Sequence, residues 1–206
     1  QAGGSLDLIT AHPDRLREMV HTTEALPGAE LGNAPPIVRV TMIGSYLHGM
    51  VFAAELHRRG GWEAVDRAHR ERPVSTEQVM HPEAYLRGEG PDAIELPELP
   101  ELTGAGLEVF EEDTLGELEL GVYLAHGRPK DVNADAAAGW SGDRLRVYTN
   151  GDGEPSAVWV TAWDDEDEAQ QAAMAAGRLL HGLSEDRRKT HRVERRGRAV
   201  LIVRDL

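Results

Sequence analysis

Asp143-Arg144-Leu145-Arg146-Val147-Tyr148-Thr149, then Asn150-Gly151-Asp152-Gly153, then Ser156-Ala157-Val158-Trp159-Val160-Thr161-Ala162-Trp163 is the stretch on which the fold reading turns. Both flanks alternate polar and apolar side chains, the period that places successive residues on opposite faces of a strand. The Asn-Gly-Asp-Gly between them supplies residues that tolerate positive φ, so the pair reads as an antiparallel hairpin. Trp159 and Trp163, four apart, fall on one face and predict sheet packing.

Working outward toward the C-terminus, Asp164 to Leu180 is alanine-rich with acids in its first turn and Arg178 near its end, which suits a helix dipole. The acidic run Asp164-Asp165-Glu166-Asp167-Glu168 lacks the glycine and terminal glutamate of a calcium loop and reads as a solvated helix start. Thr190 to Glu194 and Arg198 to Arg204 flank Arg196-Gly197 and predict a second hairpin. The closing part is therefore expected to be a β-β-α-β-β layer.

Toward the N-terminus the spacing becomes helical. Leu6, Ile9, Leu16, Met19 and Val20 recur at three- and four-residue intervals around His12-Pro13, and a Pro/Gly/Asn-rich loop follows from Leu26 to Pro36. Ile37 to Leu56 is apolar on nearly all sides and predicts a buried central helix. Gly60-Gly61 ends it, and a short amphipathic helix restarts at Trp62. Ser75 or Thr76 can cap a short helix that Pro82 ends or restarts. Pro91, Pro97 and Pro100 make residues 91–103 an extended connector, and Asp113 is placed to cap a helix over Thr114 to His126. The expected class is α+β: a mainly helical region at 1–130, containing the 91–103 connector, then an α+β region at 131–206 with two hairpins and one helix.

Composition narrows the function classes. The 206 residues carry 22 basic and 36 acidic side chains, a formal net charge of −14, and no cysteine. Without cysteine there are no disulfides, thiolate zinc sites or cysteine nucleophiles. Global acidity argues against nucleic acid as a partner, because phosphate contacts need a basic face. No apolar run near the roughly 20 residues of a bilayer span is read in the sequence, so no membrane span is expected. The charge is also segregated: Glu77 to Leu120 holds thirteen acidic residues against Arg87 alone, while Ser184 to Leu206 holds eight basic against four acidic. Arginines alternating with Val193, Val200, Ile202 and Val203 read as the solvated edge of a hairpin rather than a phosphate site.

Three further stretches occur in a telling order. They are Gly61-Trp62-Glu63-Ala64-Val65-Asp66 with Pro73-Val74-Ser75-Thr76-Glu77-Gln78-Val79-Met80-His81-Pro82-Glu83, then Asp113-Thr114-Leu115-Gly116-Glu117, then Ala138-Gly139-Trp140-Ser141-Gly142-Asp143-Arg144 with Val158-Trp159-Val160-Thr161. Together they resemble the C-terminal half of a bacterial family of zinc metallopeptidases, over residues from about 30 to 180. Ser-Thr-Glu-Gln-x-x-His-Pro-Glu is the most specific element. In that family a His-Glu-x-x-His helix binds zinc and its Glu serves as general base, with a third ligand from a second, Glu-Gly-Asp-Ala-like helix. Neither motif occurs here; the chain begins at Gln1-Ala2-Gly3-Gly4, which corresponds to a point just after the second. The resemblance thus implies a non-metal-binding C-terminal portion, or an inactive relative, of a secreted metallopeptidase-like protein. It implies an extracellular or cell-envelope location, zinc only with an upstream half, and that half as partner.

Glu77, Gln78, His81 and Tyr85 are the cleft candidates: His81 could donate to a tetrahedral oxyanion while the others hold substrate. Within this chain alone the preferred reading is structural: His81 and Glu83 flank Pro82 to fix a turn, while Thr76 and Glu77 supply capping. The nine histidines (12, 21, 48, 57, 69, 81, 126, 181 and 191) include no pair four apart with a glutamate after the first, so no metal site, cofactor site or catalytic residue is expected from this chain alone. No serine lies in a Gly-x-Ser-x-Gly elbow, and neither phosphate-binding glycine motif is present. Trp140 and Asp143-Arg144 could form a ligand platform, or Trp140 could anchor its loop while Asp143 pairs with Arg144 or a nearby amide. A second function class is an extracellular structural or binding module that self-associates through its oppositely charged surfaces.

Overall fold

The computed structural model describes residues 34–99, 106–125, 137–149 and 155–206. The expected helix around Leu6 to Val20, most of the Leu26–Pro36 loop and the Asn150–Gly153 turn lie outside the described residues. The chain forms two compact units, Gln1–Gly90 and Pro91–Leu206. The division falls at Gly90/Pro91 rather than near residue 130, because the acidic segment after Pro91 joins the sheet instead of the helices.

In the first unit, helix α1 (Pro36–Arg70) starts with Pro36 in its first turn, where a missing N–H costs nothing. It breaks at Gly60 and Gly61, as the glycine pair predicts. Gly61 has φ +61° and ψ −160°, a conformation that disfavours a side chain, and the break lets Ala64, Val65 and Ala68 pack beside Phe52 and Leu56. Helices α2 (Thr76–Met80) and α3 (Pro82–Arg87) complete this small core through Val79 and Tyr85, the latter meeting Phe52 edge to face at 5.2 Å. The expectation that Ile37 to Leu56 is buried throughout needs correction. Val51, Phe52, Ala54 and Leu56 are buried, but Ile37, Val38, Met42 and Tyr46 are exposed; among the described residues α2 and α3 pack on the C-terminal half, against Phe52 and Leu56. By length and composition, with mean hydropathy 1.4 over its most apolar window, α1 meets what a bilayer crossing requires; a core helix of a soluble protein meets the same test.

The second unit is an antiparallel five-stranded sheet with helices packed on it, and the molecule is α+β as the patterning predicts. Its elements are β1 (Glu108–Asp113), α4 (Gly116–Ala125), β2 (Trp140–Thr149), β3 (Ser156–Trp163), α5 (Glu166–His181), α6 (Glu185–Lys189), β4 (Arg192–Arg196) and β5 (Ala199–Arg204). The strand order is β1-β2-β3-β5-β4. The two expected hairpins and the helix between them are present; β1 is the strand the patterning does not announce. Asp165 caps α5 by accepting from the Glu168 amide, and Ala169, Ala172 and Ala176 lie on the sheet against Trp140, Trp159, Trp163, Val200 and Ile202. Small side chains on the helix allow three tryptophans to fill the layer between. A bulge between Trp140 and Gly142 brings Trp140 onto the face that carries Trp159.

Candidate functional site

The segment from Ser75 to Glu83 folds into a tight corner. Ser75 caps α2, its hydroxyl accepting from the Gln78 amide at 3.2 Å. The buried Gln78 carboxamide accepts from the Val74 amide at 2.8 Å and donates to the Glu89 carbonyl, tying both ends of the segment together. Pro82 opens α3, and the Tyr85 hydroxyl donates to the Glu71 carbonyl at 2.8 Å. Gln78 and Tyr85 are thus committed to holding the corner. Glu77 is half-buried in α2, and His81 sits exposed at the junction of the two helices. The structure brings the four candidates onto one short segment without gathering them around a cavity among the described residues.

Beside the corner lies an ion-pair network. The buried carboxylate of Glu55 accepts from Arg58 (2.6 Å) and Arg59 (2.6 Å), and Arg59 also pairs with Glu83. These hydrogen bonds, Arg58 foremost, hold the Glu55 carboxyl down at about 2 against the opposing effect of burial. The network joins α1 to α3 and fixes where the His81-Pro82 turn stands.

The best-formed polar centre lies in the sheet and was only partly foreseen. Asp143 projects from β2 toward the helical layer and is 2 % exposed. Its Oδ1 accepts from the Gly116 amide (2.8 Å) and Trp140 Nε1 (3.1 Å), and its Oδ2 from the Leu115 amide (3.0 Å) and Trp159 Nε1 (2.9 Å). Four N–H donors saturate the carboxylate, two of them at the N-terminus of α4, where a negative charge is favoured. The pairing with nearby amides is as anticipated, and Trp140 is a buried anchor rather than a ligand platform. On the opposite face Arg146, almost fully buried, bonds Glu112 (2.6 Å) and the carbonyls of Leu96 (3.1 Å) and Pro97 (2.9 Å). With Arg144 also paired to it, Glu112 titrates below the ordinary carboxylate range, Arg146 being the larger cause.

Among the described residues no group of three or more histidine, aspartate or glutamate side chains is placed to hold a metal ion. His57 packs edge to face on Trp62, and buried His191 donates Nδ1–H to the Arg187 carbonyl at 2.6 Å. A groove of about 470 Å³ runs between α5 and β4, a feature sequence reasoning missed because no local pattern announces the space left between a helix and a neighbouring strand.

Residues 106–205 match a family described as a domain of unknown function, DUF8575. The match begins just ahead of β1 and ends one residue after β5, so the DUF8575 region comprises the complete sheet with its helices. It includes Asp143 and both tryptophans that bond it, but neither the corner nor the connector strapped to Arg146. No curated protein and no solved structure matches the chain.

Proposed function

We propose that this chain is the non-catalytic C-terminal portion of a secreted zinc metallopeptidase-like protein. The observation that carries this reading is the Ser75–Glu83 corner. The string most specific to that family folds as a locked local structure in which Ser75, Gln78 and Tyr85 serve the backbone and His81 stands exposed at the helix junction. A side chain presented from so rigid a corner suits contact with a catalytic half that supplies metal and nucleophile.

The coding sequence upstream of Gln1 is the direct test. A His-Glu-x-x-His helix encoded there, with zinc and peptide hydrolysis in the full-length protein and neither in residues 1–206 alone, is the expected result. Stoichiometric zinc or hydrolysis in residues 1–206 alone defeats the reading. In an active full-length protein, His81→Ala should lower turnover while Tyr46→Ala, at an exposed position on α1, leaves it unchanged; an unaltered rate in His81→Ala removes that residue from the site.

A further inference from the structure

Among the described residues the sheet of the second unit ends in two edge strands of opposite character. The outer strand β1 carries Glu108, Glu111 and Asp113 besides Glu112, which Arg144 and Arg146 hold, and a register shift between Val109 and Glu111 leaves Phe110 as the extra, outward residue. Phe110 is 70 % exposed and Val109 47 %, so an acidic edge presents an apolar knob. A bulge that re-aims one large apolar side chain into solvent on an edge strand calls for an explanation, because exposed apolar edges otherwise invite unwanted pairing.

At the far edge β4 carries Arg192, Arg195 and Arg196, of which Arg192 pairs with Glu194 and Arg195 with Glu166 of α5. The groove beside it has an apolar floor of Ala173, Met174, Leu180 and Val193 and a basic rim from Arg188 and Arg195. Its volume of about 470 Å³ exceeds what one aromatic side chain fills, and Met174, 55 % exposed, is an adaptable surface for it. Like edges of two copies repel each other, acid against acid and arginine against arginine; unlike edges attract.

We propose that the β1 edge of one copy docks on the β4 edge and groove of a second copy, with Phe110 seated on the groove floor and Glu108 and Glu111 facing the arginine rim. The two surfaces are different, so each copy donates one and accepts one. Such a heterologous contact builds head-to-tail chains rather than a closed pair unless the rotation forms a ring. Self-association through segregated charge thereby acquires a specific address, independent of the metallopeptidase reading.

Sedimentation velocity of the full chain tests it. The wild type should associate in a concentration-dependent way at about 20 mM salt and much less at about 500 mM, where exposed charges are screened. Phe110→Asp and Arg188→Glu, both at exposed positions, should each weaken association roughly tenfold or more while keeping the wild-type circular dichroism. Mixed together, these two variants should form a 1:1 pair and nothing larger, because only one good interface remains between them. If Phe110→Asp disturbs the fold, Phe110→Ser takes its place. A monomeric wild type at both salt concentrations, variants that associate like the wild type, or a mixture that stays monomeric overturns the proposal.

Discussion

Asp143 shows how a single carboxylate can organise a fold without performing chemistry. It replaces solvent for two indole N–H groups and two backbone amides at once, so its loss leaves donors from β2, β3 and the entry to α4 stranded together. Each stranded buried donor costs about 1–3 kcal/mol, partly relieved by water or local repacking. Asp143→Asn should already destabilise the second unit by about 2–4 kcal/mol, because the new amide group faces N–H donors; urea denaturation followed by tryptophan fluorescence measures it. Glu55 behaves differently because its partners are cationic. Its folded-state pKa of about 2 lies below the 4.5 of a free glutamate, so its pairing stabilises the fold fully above about pH 4.5 and is lost as the pH falls toward 2. Wild type should therefore lose stability across that window more steeply than Glu55→Gln, which should be weaker than wild type at pH 7 by about 1–2 kcal/mol and converge with it in acid. Thermal melts between pH 2 and pH 7, at intervals of about one unit, provide the comparison.

At the scale of elements, the corner made by α2 and α3 depends on a side chain standing in for backbone. Gln78 bonds Val74 on one side and Glu89 on the other, so Gln78→Ala should release both ends and cost about 1–3 kcal/mol. The signature is faster amide exchange at Val74, Gln78 and Glu89 with little change in the sheet. Elements such as this were legible where the code is local. The Asn-Gly hairpin, the Gly60-Gly61 break, the Asp165 cap and the shared face of Trp159 and Trp163 all follow from turn chemistry or periodicity. Strand β1 was not legible, because Glu-Val-Phe-Glu-Glu-Asp has no alternation and earns its strand conformation by pairing with β2, in sequence more than thirty residues away. The exposed start of α1 is not legible for the converse reason: an all-round apolar pattern reports what a helix could bury, not what lies beside it. In the candidate site, Ser75 capping was readable from spacing, whereas the fourfold saturation of Asp143 needed three separate elements brought together. An acidic residue on the same strand face as Leu145 and Val147 was the one available clue.

On the scale of the whole molecule, the matched domain and the compact unit are not coextensive, and the difference can be measured. The DUF8575 match starts at residue 106, but the second unit starts at Pro91. The residues between include the strap on the sheet face opposite the tryptophans. There the Asp92 amide donates to the Ser141 carbonyl, the Ser141 hydroxyl bonds Asp92 at 3.2 Å, and Arg146 holds the carbonyls of Leu96 and Pro97. Gly142 is adapted to this contact: a Cβ there would lie 2.5 Å from the Asp92 carbonyl oxygen. Truncation to residues 106–206 would remove the acceptors of two Arg146 hydrogen bonds and wet a guanidinium now 6 % exposed, leaving Glu112 as its partner. Water reaches the arginine once the strap is gone, so the loss should be moderate, about 1–3 kcal/mol relative to residues 91–206. Both fragments should fold, since the tryptophan layer and the Asp143 centre lie wholly within 106–206. In the longer fragment Gly142→Ala should remove much of the difference by lifting the strap, while in the shorter one the same change should cost little. Equilibrium unfolding of the four proteins measures the coupling between strap and glycine. Equal stabilities for 91–206 and 106–206 would show that the segment from Pro91 merely lies on the sheet without supporting it.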